Sequence, residues 1–200
     1  MVPTTAPGVH ATARRAELFD SLVQLFLFEG FAHLTLDEIA ARLRCSKSTL
    51  YTLAGSKGDL VQAVTVHFFR AATAEVEGAV ATADGTRARL TAYLTAVGVA
   101  LAPASEQFMD DLAAYPPARD VYEHNTRAAA ERVRDLITEG AAAGDVRDLH
   151  AAFVADVAAA VMVRIQQRSI KDAVGLDDSQ AYLELAELLT TGIGALPTNS

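Results

Sequence analysis

Residues 34–60, LTLDEIAARLRCSKSTLYTLAGSKGDL, constrain the fold more than any other part of this chain. Thr35 is a good helix N-cap, and Glu38 three residues later completes the pattern of a capping box. The apolar residues around them recur at helical spacing and share one helix face: Leu36, Ile39, Ala40 and Leu43. We therefore predict two short helices, a tight turn, and a third helix that opens at Ser56.

The second of these helices has one apolar and one polar side. Ser46 caps it, and Leu50 and Leu53 point inward. The small side chain of Ala40 would let the first helix cross the second closely, which is the layout of a helix-turn-helix. Such a motif places the polar side of its second helix in the major groove of DNA. The alternative is a helical hairpin whose polar residues are simply solvated: Lys47, Ser48, Tyr51 and Thr52.

Individual DNA contacts are predicted from the positions of polar residues in this motif. Lys47 and Ser48 lie on its first turn, where such helices approach base edges. Tyr51, Lys57 and the hydroxyl of Thr35 suit contacts with phosphate.

Three motifs carry a resemblance to a known family: IAARLRCSKSTLY, then SKGDL, both preceded by FEGFAHLTLDE. Over residues 14–66 the chain resembles the tetracycline-repressor (TetR) family of bacterial transcription regulators. The resemblance implies an all-helical homodimer with one DNA-binding domain per subunit and a larger domain that binds a small-molecule inducer. By position it implies DNA contacts for Lys47, Ser48, Thr49, Tyr51 and Lys57.

The chain departs from the family pattern in and after the turn. Arg44 stands where the family usually has Gly, and a positive φ there would cost about 1 kcal/mol. Either Arg44 bears this cost, which a phosphate contact could offset, or the turn differs slightly. Leu53 and Ala54-Gly55 replace aromatic, His, basic or Pro residues, so we expect fewer phosphate contacts at the end of the second helix.

Charge is divided unevenly along the chain. The net charge is −8, but residues 1–60 carry six basic and six acidic side chains. The whole acidic excess therefore lies in residues 61–200, where repulsion from phosphate would orient the neutral end toward DNA. The composition, rich in Ala and Leu and low in Pro and Gly, favours an all-helical protein.

Several features of the sequence indicate the cellular compartment of the protein. The chain has no apolar run long enough for a membrane span, and its start lacks the apolar core of a secretory signal. Its single cysteine, Cys45, excludes an intramolecular disulfide. We expect a cytoplasmic protein with Cys45 as a small buried apolar residue; a redox sensor is the alternative.

The pattern predicts three parts: a flexible arm (1–10), a helix-turn-helix domain (11–55), and a helical ligand-binding and dimerisation domain (56–200). The first helix would open at Arg14-Arg15 and end at Gly30. Those two arginines could reach DNA or be solvated. The helix that Ser56 opens would run to residue 81, followed by helices over 87–101, 106–114, 118–143, 150–168 and 179–196.

The helix over residues 150–168 is apolar or small on all sides, which indicates burial on more than one side. With the last helix it would form a dimer interface, as the resemblance also implies. The alternative is an ordinary monomer core. The residues assigned to the interface are Val157, Val161, Ile165, Leu185 and Leu189.

Aromatic and Met side chains in the larger domain are candidates for an inducer pocket. With few polar groups among them, they would suit a mostly apolar ligand, although each could simply belong to the core. The candidates are Phe68, Phe69, Tyr93, Phe108, Met109, Tyr115, Tyr122, Met162 and Gln166.

The sequence contains no phosphate loop, HExxH or nucleophile elbow, and its five histidines lack metal-ligand spacing, so we expect no enzyme, metal or cofactor. Asp110 and Asp111 are expected to be solvated. The prediction is a ligand-responsive DNA-binding regulator, a repressor released from a palindromic operator by a small, mostly apolar molecule. The alternative is a helical small-molecule-binding or interaction protein of the same fold that no longer binds DNA.

Overall fold

A computed structural model describes residues 7–145 and 150–193 of the 200-residue chain. These residues form ten helices and no strand, which confirms the predicted all-α class. None of the described helices is long and apolar enough to cross a membrane.

In chain order the helices are α1 (Pro7–Glu29), α2 (Leu36–Arg42), α3 (Lys47–Tyr51), α4 (Lys57–Ala81), α5 (Thr86–Leu101), α6 (Glu106–Ala114), α7 (Pro116–Ala143), α8 (Ala151–Gln166), α9 (Ser169–Val174) and α10 (Asp178–Ile193).

Helix α1 starts earlier than predicted. It begins at Pro7 rather than at Arg14-Arg15. The flexible arm over residues 1–10 stays a prediction, and residues 1–6 lie outside the described part of the chain. Proline suits a first helical position, because its fixed φ is already helical and it lacks only an N–H that would have no intrahelical partner. The predicted end of the last helix at residue 196 also lies outside the described residues.

A helix that the sequence did not predict, α9, follows α8 after a sharp break. Arg168 has a left-handed φ of 62°, which ends α8, and Gly175 at 80° ends α9. A left-handed non-Gly residue costs about 1–2 kcal/mol. Here it accompanies a buried ion pair between the Arg168 guanidinium and the carboxylate of Asp178, which also accepts a hydrogen bond from the Tyr122 hydroxyl at 3.1 Å. Burial raises the pKa of Asp178.

The chain forms two compact units by its internal contacts. Unit 1 takes residues up to Phe68 together with Ala104–Ala118, and unit 2 takes Phe69–Pro103 with the residues from Arg119 onward. Helix α4 therefore contributes to both units, and α6 belongs to unit 1. The predicted limits of 11–55 and 56–200 were drawn around the helix-turn-helix and stay a prediction; the contacts divide the chain elsewhere.

Unit 1 is built around Phe31, at the corner between α1 and α2. The ring of Phe31 lies 5.2 Å from that of Phe26, 5.9 Å from Phe108 of α6 and 5.7 Å from Tyr115. Phe68 extends the cluster with a ring contact to Phe108 at 5.7 Å. Residues 104–118 thus supply part of the same core as the amino-terminal helices.

Asp111 of α6 is buried at this corner, with 4% of its surface exposed. Its carboxylate accepts hydrogen bonds from the backbone N–H groups of Phe31 at 2.6 Å and Ala32 at 2.7 Å. Gly30, with φ of 78°, lies so close that an added Cβ would be 2.7 Å from the same carboxylate. The expectation that Asp111 is solvated is therefore wrong, because its carboxylate accepts from backbone groups some 80 residues away and from the Gln107 side chain at 2.8 Å.

Unit 2 is organised by the packing of α5 against α10. Gly98 permits their close approach, because a Cβ there would lie 3.0 Å from the carbonyl oxygen of Ser179 and 3.3 Å from the Leu183 side chain. Around this crossing lies a core that includes Leu90, Leu94, Val133, Leu136, Met162, Ile165, Tyr182 and Leu185.

We predict that Asp111→Ala lowers the free energy of unfolding by about 3 kcal/mol, because the N–H groups of the buried Phe31 and of Ala32 lose their charged acceptor. Glu75 of α4 is exposed, and Glu75→Ala should change stability by no more than about 0.5 kcal/mol. Urea unfolding of both variants and the parent measures the difference. Equal effects of the two substitutions would contradict a structural role for Asp111.

Candidate nucleic-acid interface and ligand cavity

The start of α2 has the predicted capping box. The Thr35 hydroxyl accepts from the Glu38 N–H at 3.2 Å, while the Glu38 carboxylate accepts from the Thr35 N–H at 2.7 Å and from its hydroxyl at 2.8 Å. These hydrogen bonds from Thr35 lower the pKa of Glu38. The hydroxyl that was assigned to phosphate contact is thus already bonded within the helix start.

The turn between α2 and α3 adopts the conformation that Gly would favour. Arg44 has a φ of 49°; its N–H donates to the carbonyl of Ala41, and the N–H of Cys45 donates to that of Ala40. This pair of bonds is a Schellman motif, with Arg in the position usually taken by Gly. The turn therefore keeps the helix-turn-helix geometry, and Arg44 bears the predicted conformational cost of its positive φ. Cys45 is partly exposed rather than fully buried.

Helix α3 is short and presents most of the predicted contact residues to solvent. Ser46 caps it through the N–H of Thr49 at 3.1 Å, and its hydroxyl lies 2.7 Å from that of Ser48. Leu50 is buried beneath the helix, and Thr49 is partly buried. The exposed residues are Lys47, Ser48, Tyr51 and Thr52.

Lys47 is not free at the surface. Its ammonium lies 2.9 Å from the carboxylate of Asp37 in the first turn of α2, and this hydrogen bond raises the pKa of Lys47. The pair joins the beginnings of the two helices of the motif. Both side chains are exposed, so the pair contributes little to stability.

Lys57, at the beginning of α4, also has partners within unit 1. Its ammonium donates to the carbonyl oxygen of Ala32 at 2.7 Å and lies 5.7 Å from the centre of the Tyr115 ring. Burial lowers its pKa. The predicted phosphate contact by Lys57 would have to coexist with this bond or replace it.

A basic cleft lies between α1 and the turn. It encloses about 650 Å³ and is lined by the guanidinium-bearing residues Arg14, Arg15 and Arg44, together with Thr49 and Thr52. Arg15 donates to the Thr52 carbonyl at 3.1 Å, which ties α1 to the end of α3. The cleft gathers positive charge beside the exposed side of α3.

Unit 2 contains a separate cavity of about 270 Å³. Three of the predicted pocket residues line it: Phe69, Tyr93 and Tyr122. The other predicted residues lie elsewhere, because Phe68, Phe108, Met109 and Tyr115 belong to unit 1, while Met162 and Gln166 are buried in unit 2 away from the cavity.

The sequence interpretation missed the polar residues of this cavity. Arg132 of α7 forms a two-pronged ion pair with Glu77 of α4, at 3.1 and 3.3 Å, and the hydrogen bond with Glu77 raises the pKa of Arg132. Burial raises the pKa of the lining Tyr93 to about 12. Glu77 and Arg132 lie 55 residues apart, and no local pattern could pair them. The other polar lining residues are Thr73, Asn125, Thr126 and Tyr182.

The residues assigned to a dimer interface do not share one exposed surface. Ile165, Leu185 and Leu189 are buried within the chain, because α8 and α10 turn these sides toward the core of unit 2. Val161 is partly exposed and Val157 is exposed. The strongly exposed apolar side chains on these helices are Phe153 and Leu188, each 66% exposed.

Within the described residues, no three His, Cys, Asp or Glu side chains are grouped so that they could hold a metal ion. The candidate sites are thus a helix-turn-helix with a basic cleft in unit 1 and a mostly apolar cavity in unit 2.

Comparison with known proteins agrees with this arrangement. Residues 18–64 match the family described as bacterial regulatory proteins, tetR family. No curated protein sequence matches the chain significantly.

Several solved structures share the fold over nearly the whole chain. A protein of Saccharomonospora viridis, solved as a transcriptional regulator in complex with choline, is 18% identical with a TM-score of 0.70, covering 93% of this chain and 100% of its own. The ketosteroid transcriptional regulator KstR2 of Mycobacterium tuberculosis is 19% identical with a TM-score of 0.59, covering 92% and 96%. A TetR-family transcriptional regulator of Agrobacterium tumefaciens is 14% identical with a TM-score of 0.67, covering 92% and 99%.

The family match falls on α1 to α4, where the capping box, the turn and the exposed side of α3 lie. The structural similarity extends through the helices of unit 2. The chain is therefore a helix-turn-helix protein with the amino-terminal domain of the tetR family and the fold of TetR-family transcriptional regulators.

Proposed function

We propose that this chain is a homodimeric cytoplasmic repressor that binds a palindromic operator and leaves it when a small, mostly apolar molecule occupies the cavity of unit 2. The observation that carries the proposal is the exposed polar side of α3, capped at Ser46 and backed by the buried Leu50, inside the segment that matches the family. Its first turn offers Lys47 and Ser48 to base edges. We propose no catalytic activity for the chain.

The cavity supports the ligand-dependent part of the proposal. It is closed enough to enclose a small molecule, and its lining is mostly apolar with a few polar groups, as in small-molecule sites generally. One solved protein of the same fold holds choline, so this fold can bind a small molecule. Helix α4 carries Phe69, Val76 and Glu77 in the cavity lining and begins directly after the helix-turn-helix. A ligand that shifts α4 could therefore change the position of the DNA-binding helices.

Exposed apolar residues on the late helices support dimerisation. Phe153 and Val157 are one helical turn apart on α8, with the partly exposed Val161 a further turn along. Leu188 adds an exposed apolar side chain on α10. A symmetric dimer through this surface would present two copies of α3, and so would require an operator with two matching half-sites.

A second candidate is a small-molecule-binding protein of the same fold that no longer binds DNA. What favours it is the pairing of both lysines: Lys47 with Asp37, and Lys57 with the Ala32 carbonyl. Phosphates would have to compete with these partners.

Selection of binding sites from random DNA at one fixed salt concentration decides between the two candidates. The parent should select a palindrome. Lys47→Ala should lose discrimination at one base pair per half-site, of order 1–3 kcal/mol for a good contact, whereas Tyr51→Phe should weaken binding without altering the preferred sequence. If the parent selects no sequence, the second candidate is favoured; if only Tyr51→Phe alters the sequence, the two roles are reversed.

Release of Lys47 from its partner should strengthen DNA binding. We predict that Asp37→Asn raises affinity for DNA about two- to fivefold, because it frees the Lys47 ammonium from a weak, solvent-exposed pair. The salt dependence of binding should also steepen as the freed cation displaces a counterion. Asp120→Asn on α7 removes the same formal charge from an exposed site in unit 2 and is the control. Equal gains in both variants would show only a net-charge effect.

Substitution of the exposed apolar side chains tests the proposed homodimer. Phe153→Glu and Leu188→Glu should each convert the dimer to monomers at micromolar concentration, because a carboxylate would be buried without a partner. Val174→Glu on α9 is a matched control, since Val174 is 65% exposed and apolar, and it should remain dimeric. Light scattering coupled to gel filtration measures the mass. A monomeric parent would overturn the homodimer.

A further inference from the structure

We propose that the cavity of unit 2 binds an uncharged molecule of about ten non-hydrogen atoms, whose aromatic or aliphatic body lies against the apolar wall and whose hydroxyl or carbonyl group hydrogen-bonds with Thr126. This inference rests on the proposed function for the ligand's regulatory role. It adds the size, the charge and the polar group of the ligand.

The size follows from the volume. An apolar cavity of about 150 Å³ in a protein accommodates benzene, so a cavity of 270 Å³ suits a molecule of about ten non-hydrogen atoms. A molecule as large as a steroid would not fit without a rearrangement of the surrounding helices.

The body of the ligand would lie against apolar and aromatic side chains. The rings of Phe69 and Tyr122 are stacked, with centres 5.4 Å apart and planes at 18°, and both residues line the cavity. The hydroxyl of Tyr122 is engaged with Asp178, so this tyrosine presents its ring rather than a free polar group. The rest of the apolar lining includes Val76, Val97, Leu101 and Ala129.

The polar group of the ligand is indicated by Thr126. This residue is only 3% exposed, and its Oγ1 is the one buried side-chain polar atom of the described residues that has no hydrogen-bond partner. Other buried helical threonines, Thr65 and Thr190, donate to the carbonyl four residues earlier. Thr126 makes no such bond, although it lies on a helix and lines the cavity. A buried hydroxyl without a partner is unfavourable, so an occupant that bonds to it is favoured. Oγ1 itself has almost no accessible surface, so the bond would form after the Thr126 side chain rotates about χ1 toward the cavity.

The charge of the ligand is set by Glu77 and Arg132. Each meets the other through two hydrogen bonds, so their charges cancel at the cavity wall. An anion that approached Arg132 would also meet the Glu77 carboxylate, and a cation near Glu77 would meet the guanidinium. An uncharged ligand leaves the pair intact and gains from the apolar surface.

The test uses four probes of nearly equal size that differ only in their end group: n-propylbenzene, 2-phenylethanol, 2-phenylethylammonium and phenylacetate, with choline as a second cation. Titration calorimetry on the full chain measures each dissociation constant. We expect 2-phenylethanol to bind about two- to tenfold more tightly than n-propylbenzene, which is the usual gain from one hydrogen bond. The charged probes should bind more weakly than both.

Substitutions then assign the contacts. Thr126→Val should abolish the preference for the alcohol while leaving n-propylbenzene unaffected, and Thr126→Ser should retain the preference. Thr138→Val is the control, since Thr138 is on the same helix, is exposed, and donates to the Arg134 carbonyl. Glu77→Gln leaves Arg132 without its counter-charge and should make phenylacetate the tightest probe.

The inference is overturned if neither uncharged probe binds, if a charged probe binds the parent most tightly, or if Thr126→Val leaves the preference for the alcohol unchanged. DNA binding by the same preparation, followed by fluorescence anisotropy, separates this outcome from failure of the proposed function. A protein that binds DNA but neither uncharged probe keeps its role as a regulator and loses this ligand class. A protein that binds the alcohol but no DNA keeps the ligand class and loses the regulatory role.

Discussion

Asp111 presents its carboxylate to two backbone N–H groups that the chain leaves without helical partners where α1 ends. One of these belongs to Ala32, whose carbonyl oxygen accepts a hydrogen bond from Lys57 at the beginning of α4. Ala32 therefore links α6 through its N–H and α4 through its carbonyl, while the neighbouring Phe31 ring fills the core between them. The corner that sets the entry of the chain into α2 is thus held on both sides. These bonds fix the corner from which the helix-turn-helix begins.

Three basic side chains of unit 1 already have partners within the unit. Lys47 is held by Asp37, Lys57 by a carbonyl, and Arg15 by the carbonyl of Thr52. In the proposed interface, these partners would hold the three side chains in defined positions and so lower the conformational entropy lost on binding DNA. They would also reduce the gain in electrostatic energy, because each contact with DNA would replace an existing hydrogen bond. Binding specificity in this chain would then arise from α3 and its base contacts rather than from strong nonspecific attraction.

Local patterns in the sequence predicted local structure well. The capping box at Thr35, the cap at Ser46 and the all-helical class are confirmed, because each depends on residues a few positions apart. The inward position of Asp111 and the Glu77–Arg132 pair were missed, since both join residues more than fifty positions apart. Helix α9 was missed for a related reason: it begins after a left-handed arginine that accompanies a buried ion pair, and no turn residue in the sequence marks this break. Aromatic content alone could not separate the cavity from the core, so only three of nine predicted pocket residues line it.

The membership of residues 104–118 in unit 1 has a consequence for exchanging DNA-binding specificity between proteins of this fold. A chimera joined once, after Phe68, would receive a foreign α6 in place of the one that carries Phe108 and Asp111. Phe31 would then face an unmatched surface, and the N–H groups of Phe31 and Ala32 would lose their acceptor. The transferable piece is therefore discontinuous: it comprises the amino-terminal helices and a second, separate insert of fifteen residues. Recombination at a single crossover cannot move it intact.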